Sequence, residues 1–500
     1  MTGSPSLRAL ALATLQPGFV GLTAPEWLLR ELEAGLGGVA LFGRNIESPE
    51  QVAALTAQIH EANPAAIVAI DEEAGDVTRL EHATGSSWPG NLALGHVDDV
   101  SITEDVAREI GTMLDSVGVD LDYAPDADVN SNPDNPVIGV RSFGSDPDHV
   151  ARHTAAWVRG LQSAGILACA KHFPGHGDTA QDSHLELPTV RLGHEGWALR
   201  PFRAAIEAGV ASIMSAHIVV RDLDHDPATL SRTVLVDLLR GELGFRGLAI
   251  SDGMEMGGIT GSMDLTEGCV RAIGAGIDAL CIGGGLAGED TVAAVATALV
   301  DAVRDGRLDE ERLAEAAAHV GEASELRGRL RQRRQPSPGN IAGLEAAHRA
   351  LMVRGPLQMV EPDRPPHLIE LTAPSNQAVG DETPSGLAAA VGQRWPGARR
   401  TAVATAQQAT DLATSLAART PGKPPDVSPL WIAVRDPHRH DWMPVALDAL
   451  LRARPDAVII DTGWPDWSPP TGTSFVATRG ASRVTADAAV TLLAGGSPPG

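Results

Sequence analysis

The sequence predicts an α/β protein, a (β/α)8 TIM barrel followed by a smaller αβα sandwich domain. Eight short, continuous apolar runs alternate with amphipathic stretches between residues 15 and 285, and the alternation restarts after a segment rich in Pro and Gly. Continuous apolar runs indicate strands that are buried on both faces and therefore pair in parallel. Eight such strands with intervening helices match a barrel.

Each run has the length of a buried strand. The predicted strands are residues 15–21, 37–42, 66–71, 119–124, 166–172, 211–217, 247–252 and 278–283. The clearest helical segments between them are residues 49–62, 105–118 and 149–165. Polar side chains recur at or just after the carboxyl ends of the runs: Arg44, Asn45, Asp71, Asp126, Asp128, Lys171, His172, His217 and Asp252. A solvated rim accounts for any one of them, but their repetition at one end predicts a functional face.

The predicted domains are a barrel over residues 1–335, a linker over 336–345 and a C-terminal domain over 346–500. The last barrel helix, 309–334, ends in a basic run, Arg327 to Arg334, which is interpreted as a solvated helix end. The second domain is predicted from further apolar runs at 367–373, 400–405, 429–436, 457–463, 474–478 and 488–495. No nucleotide-binding glycine motif follows these runs, so a structural or partner-binding role is favoured.

Charge and composition narrow the class of protein. A formal charge of −25 argues against a nucleic-acid partner, because a phosphate backbone requires basic patches. The three cysteines, Cys169, Cys269 and Cys281, have apolar neighbours and no paired spacing, which is typical of reduced thiols. No apolar run approaches the length of a membrane span, and the start of the chain lacks a secretory pattern. The expectation is a cytoplasmic protein without a membrane partner or a cofactor.

Residues 166–190 concentrate the reactive groups. An apolar run ends in Lys171 and His172, and a Gly-rich loop then leads to Asp182 and His184. The spacing of Asp182 and His184 lets the carboxylate orient the imidazole, which suits a general acid/base, although two such residues can also be neighbours by chance. A metal site built from His172, His176, Asp182 and His184 is an alternative. The irregular loop between them disfavours it, since it does not present them on one surface.

Asp252 directly follows the buried run 247–252 and has three possible roles. A carboxylate fixed there can attack an anomeric carbon, bind a metal or cap the following helix. Arg79 and Arg141 are polar anchors of the kind that bind hydroxyl-rich ligands, but an arginine taken alone is more often part of a surface salt bridge.

Several segments together resemble family 3 glycoside hydrolases, in the β-N-acetylhexosaminidase branch. KHFPGHGDTAQDSH (171–184) resembles the family's K-H-F-P-G-H-G run followed by D-S-H, and AIDEEAGDVTRL (69–80) resembles D-Q-E-G-G-x-V-x-R-L. GVRSFGSDP (139–147), LGFRGLAISDGMEM (243–256) and GGVALFGRNI (37–46) match further segments in the same order. The chain departs from the pattern at Glu72, where the family usually has Gln, and at Ala74, where it has Gly.

The resemblance implies a (β/α)8 barrel, often followed by an αβα domain, and a retaining β-N-acetylglucosaminidase. Asp252 would be the nucleophile, and Asp182 and His184 would form the acid/base dyad. The terminal sugar would be bound by Asp71, Arg79, Arg141, Lys171 and His172. Gly175 and Gly177 would give the acid-bearing loop hinge freedom. The substrates would be N-acetylglucosaminyl units of peptidoglycan fragments or chitin oligosaccharides.

Three alternatives remain open. A family 3 β-glucosidase would lack the D-S-H loop and take its acid from another domain. A phosphorylase is possible because a neutral imidazole repels phosphate less than a carboxylate does. A non-catalytic sugar-binding protein on the same barrel predicts loss of Asp252 or His184, and both are present.

Overall fold

A computed structural model of the chain describes residues 5–183, 185, 187–190, 194–284, 288–337, 339, 341–357, 360, 364–373, 385–418, 428–465 and 467–496. The contacts divide the chain into two compact units. The first contains Met1–Glu73, Asp99–Ile138 and Ser142–Gly339. The second contains Ala74–Asp98, Gly139–Arg141 and Asn340–Gly500. The boundary between the units is therefore not a single position in the sequence, because residues 74–98 and 139–141 belong to the second unit although they lie between segments of the first.

Sixteen strands and sixteen α-helices occur in the described residues. The strands are β1 Leu15–Pro17, β2 Gly38–Leu41, β3 Ile67–Ile70, β4 Leu121–Asp122, β5 Leu167–Phe173, β6 Thr189–Val190, β7 Ser212–Ser215, β8 Val219–Val220, β9 Leu248–Ser251, β10 Leu280–Ile282, β11 Met352–Arg354, β12 His367–Leu371, β13 Arg399–Val403, β14 Leu430–Val434, β15 Val458–Asp461 and β16 Ser474–Ala477. The helices are α1 Leu7–Ala13, α2 Glu26–Glu33, α3 Pro49–Ala62, α4 Asn91–Val97, α5 Val100–Ser116, α6 Pro147–Ser163, α7 Arg200–Glu207, α8 Gly257–Thr260, α9 Leu265–Ala275, α10 Glu289–Arg304, α11 Glu310–Gln332, α12 Ala342–Arg349, α13 Gly386–Arg394, α14 Ala406–Ala417, α15 Trp442–Ala453 and α16 Arg483–Leu493. A π-helix, Thr233–Glu242, lies between β8 and β9.

The first unit is a barrel of eight parallel strands, as predicted. Six of them pair in the order β2-β3-β4-β5-β7-β9, and β10 pairs with β1. Ile250 bridges Ala279 between β9 and β10, and β1 packs beside β2, which closes the ring. The interior is filled by side chains from alternate positions, such as Ala69, Leu121 and Cys169. All eight apolar runs chosen from the sequence contain one of these strands.

Helix α11 corrects the interpretation of the basic run. Arg327 and Arg331 do not end a solvated helix, because both reach the amino end of the barrel, where Asp120 is fully buried just before β4. Arg327 Nη1 lies 3.1 Å from Asp120 Oδ2, and Arg331 Nη1 lies 3.0 Å from Asp120 Oδ1. Arg329, between them, is exposed. The helical period alone could not reveal a buried carboxylate 200 residues away.

The second unit is a three-layer αβα structure, again as predicted. Five parallel strands have the order β13-β12-β14-β15-β16, and β11 joins β16 in the antiparallel direction. Helices α14 and α15 cover one face, and α13 and α16 cover the other. The apolar run 488–495 is not a strand but lies mostly in α16, which Ser482 caps by accepting from the Thr485 backbone N–H. The buried residues of this run recur at helical spacing. The short strand β11 was not predicted from the sequence.

Two smaller findings complete the fold. Cys169, Cys269 and Cys281 are buried free thiols, as expected. Among the residues described above, no helix combines the length and the apolar character needed to cross a bilayer.

Candidate active site

Lys171 is the central cation at the carboxyl end of the barrel. It lies in β5, its side chain is only 2% exposed, and its ammonium group is 2.6 Å from Asp71 Oδ1 and 2.6 Å from Glu73 Oε1. Asp71 directly follows β3, and residues i and i+2 of an extended chain face the same side, so both carboxylates reach one cation. This arrangement fixes the Lys171 ammonium group beside Asp71 and Glu73.

A second carboxyl group lies beneath this cluster. Asp122 at the end of β4 is fully buried, and its Oδ1 accepts from the Glu72 backbone N–H at 2.9 Å. Burial raises the pKa of Asp122 well above its usual range, and the nearby carboxyl groups of Glu72 and Asp71 raise it further. The same burial and neighbouring carboxyl groups disfavour the charged form of Asp122 beside Lys171.

His172, the next residue, is oriented by Asp128. Its Nδ1–H donates to Asp128 Oδ2 at 2.7 Å, and its backbone N–H donates to the same oxygen at 3.2 Å. The other oxygen of Asp128 accepts from the His176 backbone N–H at 2.6 Å. Burial opposes ionisation of Asp128, but the charge of His172 and its hydrogen bond outweigh burial and lower the pKa of Asp128. Asp128 thereby fixes the orientation of the His172 ring.

The loop after β5 is fixed by His176. This ring is buried between two hydroxyl groups, with Nδ1 2.8 Å from Thr179 Oγ1 and Nε2 2.9 Å from Ser183 Oγ. Burial lowers the pKa of His176 to about 4, so the ring is neutral at pH 7. A neutral ring needs one donor and one acceptor, and hydroxyl groups can supply either. His176 therefore serves to hold the loop.

Close packing, rather than hinge freedom, explains why position 177 is a glycine. A Cβ atom at Gly177 would lie 1.8 Å from the Val129 carbonyl oxygen, so no side chain fits between the loop and the segment after β4. Gly175 does adopt a positive φ of +131°, which favours glycine. One of the two glycines thus serves close packing and the other serves backbone conformation.

Asp252 begins the turn after β9. Its Oδ1 accepts from the Gly253 N–H at 2.8 Å, and its backbone N–H donates to Ser215 O at 3.2 Å. His217 is fixed alongside, with Nε2 2.9 Å from Gly253 O. The loop after β5 is bonded to the helix that follows this turn, because Gly258 N–H, in α8, donates to Ser183 O at 3.1 Å. The segment with Asp182 and Ser183 is therefore attached to α8, which begins five residues after Asp252.

The remaining predicted residues are distributed as follows. Asp182 is partly exposed in the described part of the loop, whereas His184 lies outside the described residues. Arg79 and Arg141 belong to the second unit, while the other predicted site residues of the described chain belong to the first. Arg44 and Asn45 do not face a ligand site with their polar groups. Instead, they donate to main-chain oxygens, including Phe19 O at 2.9 Å and 3.0 Å, where the barrel closes.

Three groups of the site were not selected from the sequence. Glu73 shares Lys171 with Asp71, and its i+2 position beside Asp71 was an available signal. Asp128 was noted only as a strand-end residue, and Asp122 was not considered. Their partners come from neighbouring strands, so periodicity could not identify them. Ala74 stands at φ +62°, which explains why the family pattern has glycine there.

A metal-binding arrangement has one candidate in the described first unit. Asp126, Asp128 and His172 are all buried and can bring one ligand atom each within 4.8 Å of one another. Both oxygens of Asp128 already accept N–H groups, as described above. An ion would have to displace these hydrogen bonds, so the donor set is better suited to orienting His172 than to holding a metal.

A parallel barrel with buried carboxylates, a cation and oriented histidines at its carboxyl end is typical of enzymes that act on small polar substrates. The "Glycosyl hydrolase family 3 N terminal domain" model matches residues 23–323. The chain belongs to this family of glycoside hydrolases, and the proteins similar to it in sequence include β-hexosaminidases.

Three similar proteins illustrate this. "Beta-hexosaminidase A" of Pseudoalteromonas piscicida is 33% identical over 316 residues, covering 57% of this chain and 52% of that protein. "Beta-hexosaminidase" of Alkalilimnicola ehrlichii is 38% identical over 252 residues, covering 49% of this chain and 72% of that protein. The solved family 3 β-N-acetylglucosaminidase from Paenibacillus sp. str. FPU-7 is 28% identical, with a TM-score of 0.83, covering 98% of this chain and 97% of that one. The chain thus spans about half the length of the first relative and nearly all of the solved structure.

Proposed function

We propose that this chain is a retaining β-N-acetylglucosaminidase that releases terminal, non-reducing, β-linked N-acetylglucosamine. The names of the relatives support the sugar, and the carboxyl-end residues support the reaction. The observation that carries the proposal is the bond from Gly258 N–H to Ser183 O. It joins the loop that in sequence contains Asp182, Ser183 and His184 to α8, the helix that follows Asp252 in the chain.

The proposed reaction has two steps. A carboxylate oxygen of Asp252 bonds to the anomeric carbon while the glycosidic C–O bond breaks, and His184 gives its proton to the leaving oxygen. Water then attacks the anomeric carbon, His184 takes the proton from that water, and the ester bond to Asp252 breaks. Asp182 would stabilise the imidazolium form of His184 that exists before the first step and is restored by the second. Two inversions at the same carbon retain the configuration.

Lys171 and His172 would bind the terminal sugar. Lys171 is held by two carboxylates and His172 by one, so neither side chain must be ordered when the substrate arrives. Preorganisation of this kind reduces the entropy lost on binding. Asp71 would accept from a sugar hydroxyl, and Arg79 and Arg141 would contribute further donors.

The test is hydrolysis of a chromogenic β-N-acetylglucosaminide beside the matching β-glucoside. Asp252→Ala and His184→Ala are expected to lose activity by on the order of 10⁴-fold and 10²-fold or more, the usual scales for a nucleophile and a general acid. Glu47→Ala, on an exposed residue in the chain between β2 and α3, serves as the control. A slow fluorinated N-acetylglucosaminyl donor should label a peptide containing Asp252, detected by mass spectrometry.

Several outcomes would contradict the proposal. Equal turnover of the glucoside would remove the sugar assignment, and labelling of another carboxylate would remove the role of Asp252. Acceleration by phosphate with release of a sugar phosphate would indicate a phosphorylase instead. No turnover by the wild type, with sugar binding retained, would indicate a binding protein.

We further propose peptidoglycan fragments as the natural substrate and the cytoplasm as the location. The first rests on the resemblance, and the second is supported by three buried free thiols, which suit a reducing compartment. Release of N-acetylglucosamine from a peptidoglycan disaccharide should be faster than its release from chitobiose. The reverse order would favour chitin oligosaccharides.

A further inference from the structure

The segment that contains Arg79 is held entirely within the second unit. This segment, residues 74–98, begins three residues after Asp71 and ends at the residue after α4. We call it the arginine segment. The turn 139–141, which contains Arg141, belongs to the same unit. Both arginines of the proposed sugar site therefore lie in segments that belong to the same unit as the C-terminal αβα structure.

Asp76 forms the first anchor of the arginine segment. Its side chain is only 2% exposed, and it is paired with Arg435, which directly follows β14. Its other oxygen accepts from the Ala481 backbone N–H at 2.6 Å, just before α16. A buried carboxylate needs such partners, because an unpaired charge is strongly destabilising there. Asp76 occupies the variable position of the family pattern, so the sequence motif does not explain it.

Arg483, the first residue of α16, forms the second anchor. Its Nη2 atom donates to Glu81 Oε1 at 3.0 Å and also to the Ser87 hydroxyl group. Glu81 in turn accepts from the Ser87 backbone N–H at 2.6 Å. The guanidinium group therefore closes a small hydrogen-bonded ring in the arginine segment. Planar, multidentate donation is the geometry that favours arginine over lysine at such a place.

Arg79 lies between these two anchors, three residues after Asp76 and two before Glu81. Its carbonyl oxygen accepts from the His82 ring at 2.9 Å, which shapes the backbone on the far side. The Arg141 turn is attached to the same segment, because Asn91 Nδ2 donates to Arg141 O at 2.6 Å. Fixing the backbone on both sides of Arg79 restricts where its guanidinium group can reach.

We infer that Arg435 and Arg483 are positioning residues for Arg79, the arginine to which the proposed function assigns a part in binding the terminal sugar. This inference rests on the proposed function and gives the second unit a role in that function. It differs from a purely structural role, because it predicts that breaking an anchor weakens substrate binding more than it slows the chemical step.

The experiment compares Arg435→Met with Arg435→Lys and with Arg452→Met. Arg452 lies in α15 of the same unit and forms only an exposed ion pair with Asp448, so the same substitution there is the matched control. For Arg435→Met we expect KM for the chromogenic β-N-acetylglucosaminide to rise about 10-fold with kcat changed less than about threefold, as expected when an interaction common to ground and transition states is lost. Arg435→Lys should restore part of the loss.

Arg435→Met leaves Asp76 buried without its partner and can impair folding. The double variant Asp76→Asn/Arg435→Met removes both charges and keeps the anchor broken, so it tests the same inference in a neutral site. It should show the same rise in KM. An unchanged KM in a folded double variant, or an equal rise in Arg452→Met, would overturn the inference.

Amide hydrogen exchange provides a readout that needs no turnover. In the wild type, opening of residues 74–90 requires breaking the pair of Asp76 with Arg435. In Arg435→Met and in the double variant this pair is absent, so exchange in residues 74–90 should become at least about 10-fold faster. Exchange in the barrel helices α5 and α6 should stay the same. If the wild type showed no turnover but the variants showed faster exchange, the proposed activity would be wrong and the anchoring would be supported. Unchanged exchange in the variants would contradict the anchoring.

Discussion

The two ends of the barrel both contain buried carboxylates, but they neutralise them differently. At the amino end, Asp278 is fully buried and is bound by Arg312 at 2.6 Å, by Arg240 at 2.5 Å and by His319 at 3.0 Å. Asp120 is surrounded in a similar way by Arg327, Arg331 and His60. Each buried carboxylate, with a single negative charge, is therefore paired with two arginines.

At the carboxyl end the ratio is reversed. Lys171 is shared by Asp71 and Glu73, and burial together with nearby carboxyl groups raises the pKa of Asp122 well above its usual range. A surplus of carboxyl groups is costly for folding, because desolvated acids repel one another. The comparison indicates that the amino end is built for stability and the carboxyl end for interactions with a ligand, which is the usual division in this fold.

The strongest test of this comparison removes one cation from each end. Lys171→Met should lower kcat/KM by about 10²- to 10³-fold, equivalent to about 3–4 kcal/mol of lost transition-state stabilisation, because a cation proposed to contact the sugar is removed. Arg312→Met, at the amino end, should leave kcat/KM unchanged at temperatures where the variant is folded. Steady-state kinetics and thermal unfolding of both variants provide the measurements.

Both variants should unfold at lower temperature than the wild type, so loss of stability alone cannot distinguish them. They are distinguished by kcat/KM, which should fall only in Lys171→Met. Equal losses of kcat/KM after correction for the folded fraction would mean that the two ends do not differ in function, and the comparison would fail.

The sequence predicted the carboxyl end far better than the amino end. Strand ends in a parallel sheet share an edge, so Asp71, Lys171, His172 and Asp252 could be grouped from apolar runs alone. Partner choice could not be predicted in the same way. That Glu73 joins Lys171 and that Asp128 orients His172 depends on the pairing of β4 with β5, a tertiary property.

The amino end and the second unit show the limits of local patterns. Arg327 and Arg331 looked like a solvated run because helical spacing places them on one face without naming what that face contacts. Residues 488–495 looked like a strand because an apolar run of eight residues fits either a strand or a buried helix. The assignment of Arg79 to the second unit likewise depends on Asp76 and Glu81 finding arginines about 360 to 400 residues away.

A smaller effect is expected from Asp128→Asn, which keeps the shape of the side chain and removes its charge. An amide NH₂ group would face one of the N–H donors of His172 or His176, so kcat/KM should fall by about 10- to 100-fold, the equivalent of the about 1.5–3 kcal/mol of a charged hydrogen bond. The matched change at the amino end is Asp120→Asn, which should lower the free energy of unfolding and leave kcat/KM intact. If Asp128→Asn retained full activity, His172 would not depend on Asp128 for its orientation.

The smallest effect concerns pH, where the two ends should respond with opposite sign. Burial lowers the pKa of His176 to about 4, below the value of about 6.5 for an unfolded histidine. The unfolded chain binds this proton first, so the contribution of His176 to stability is lost as the pH falls from 6.5 towards 4. At the amino end, the hydrogen bond to Asp278 raises the pKa of His319 despite partial burial. Its contribution is complete below pH 6.5 and is lost as the pH rises through the folded-state pKa.

These signs can be separated by measuring the free energy of unfolding in urea between pH 4.5 and 8.5. His176→Asn should lose less stability than the wild type between pH 6.5 and 4.5, by on the order of 2 kcal/mol, because it lacks the group whose protonation unfolds the loop. His319→Gln should flatten the decline on the alkaline side. His225→Asn, on an exposed loop, is the control and should follow the wild type throughout. If the two variants changed the pH dependence of the free energy of unfolding in the same direction, the comparison would fail. Burial of His176 and the carboxylate partner of His319 would then affect a histidine in the same way.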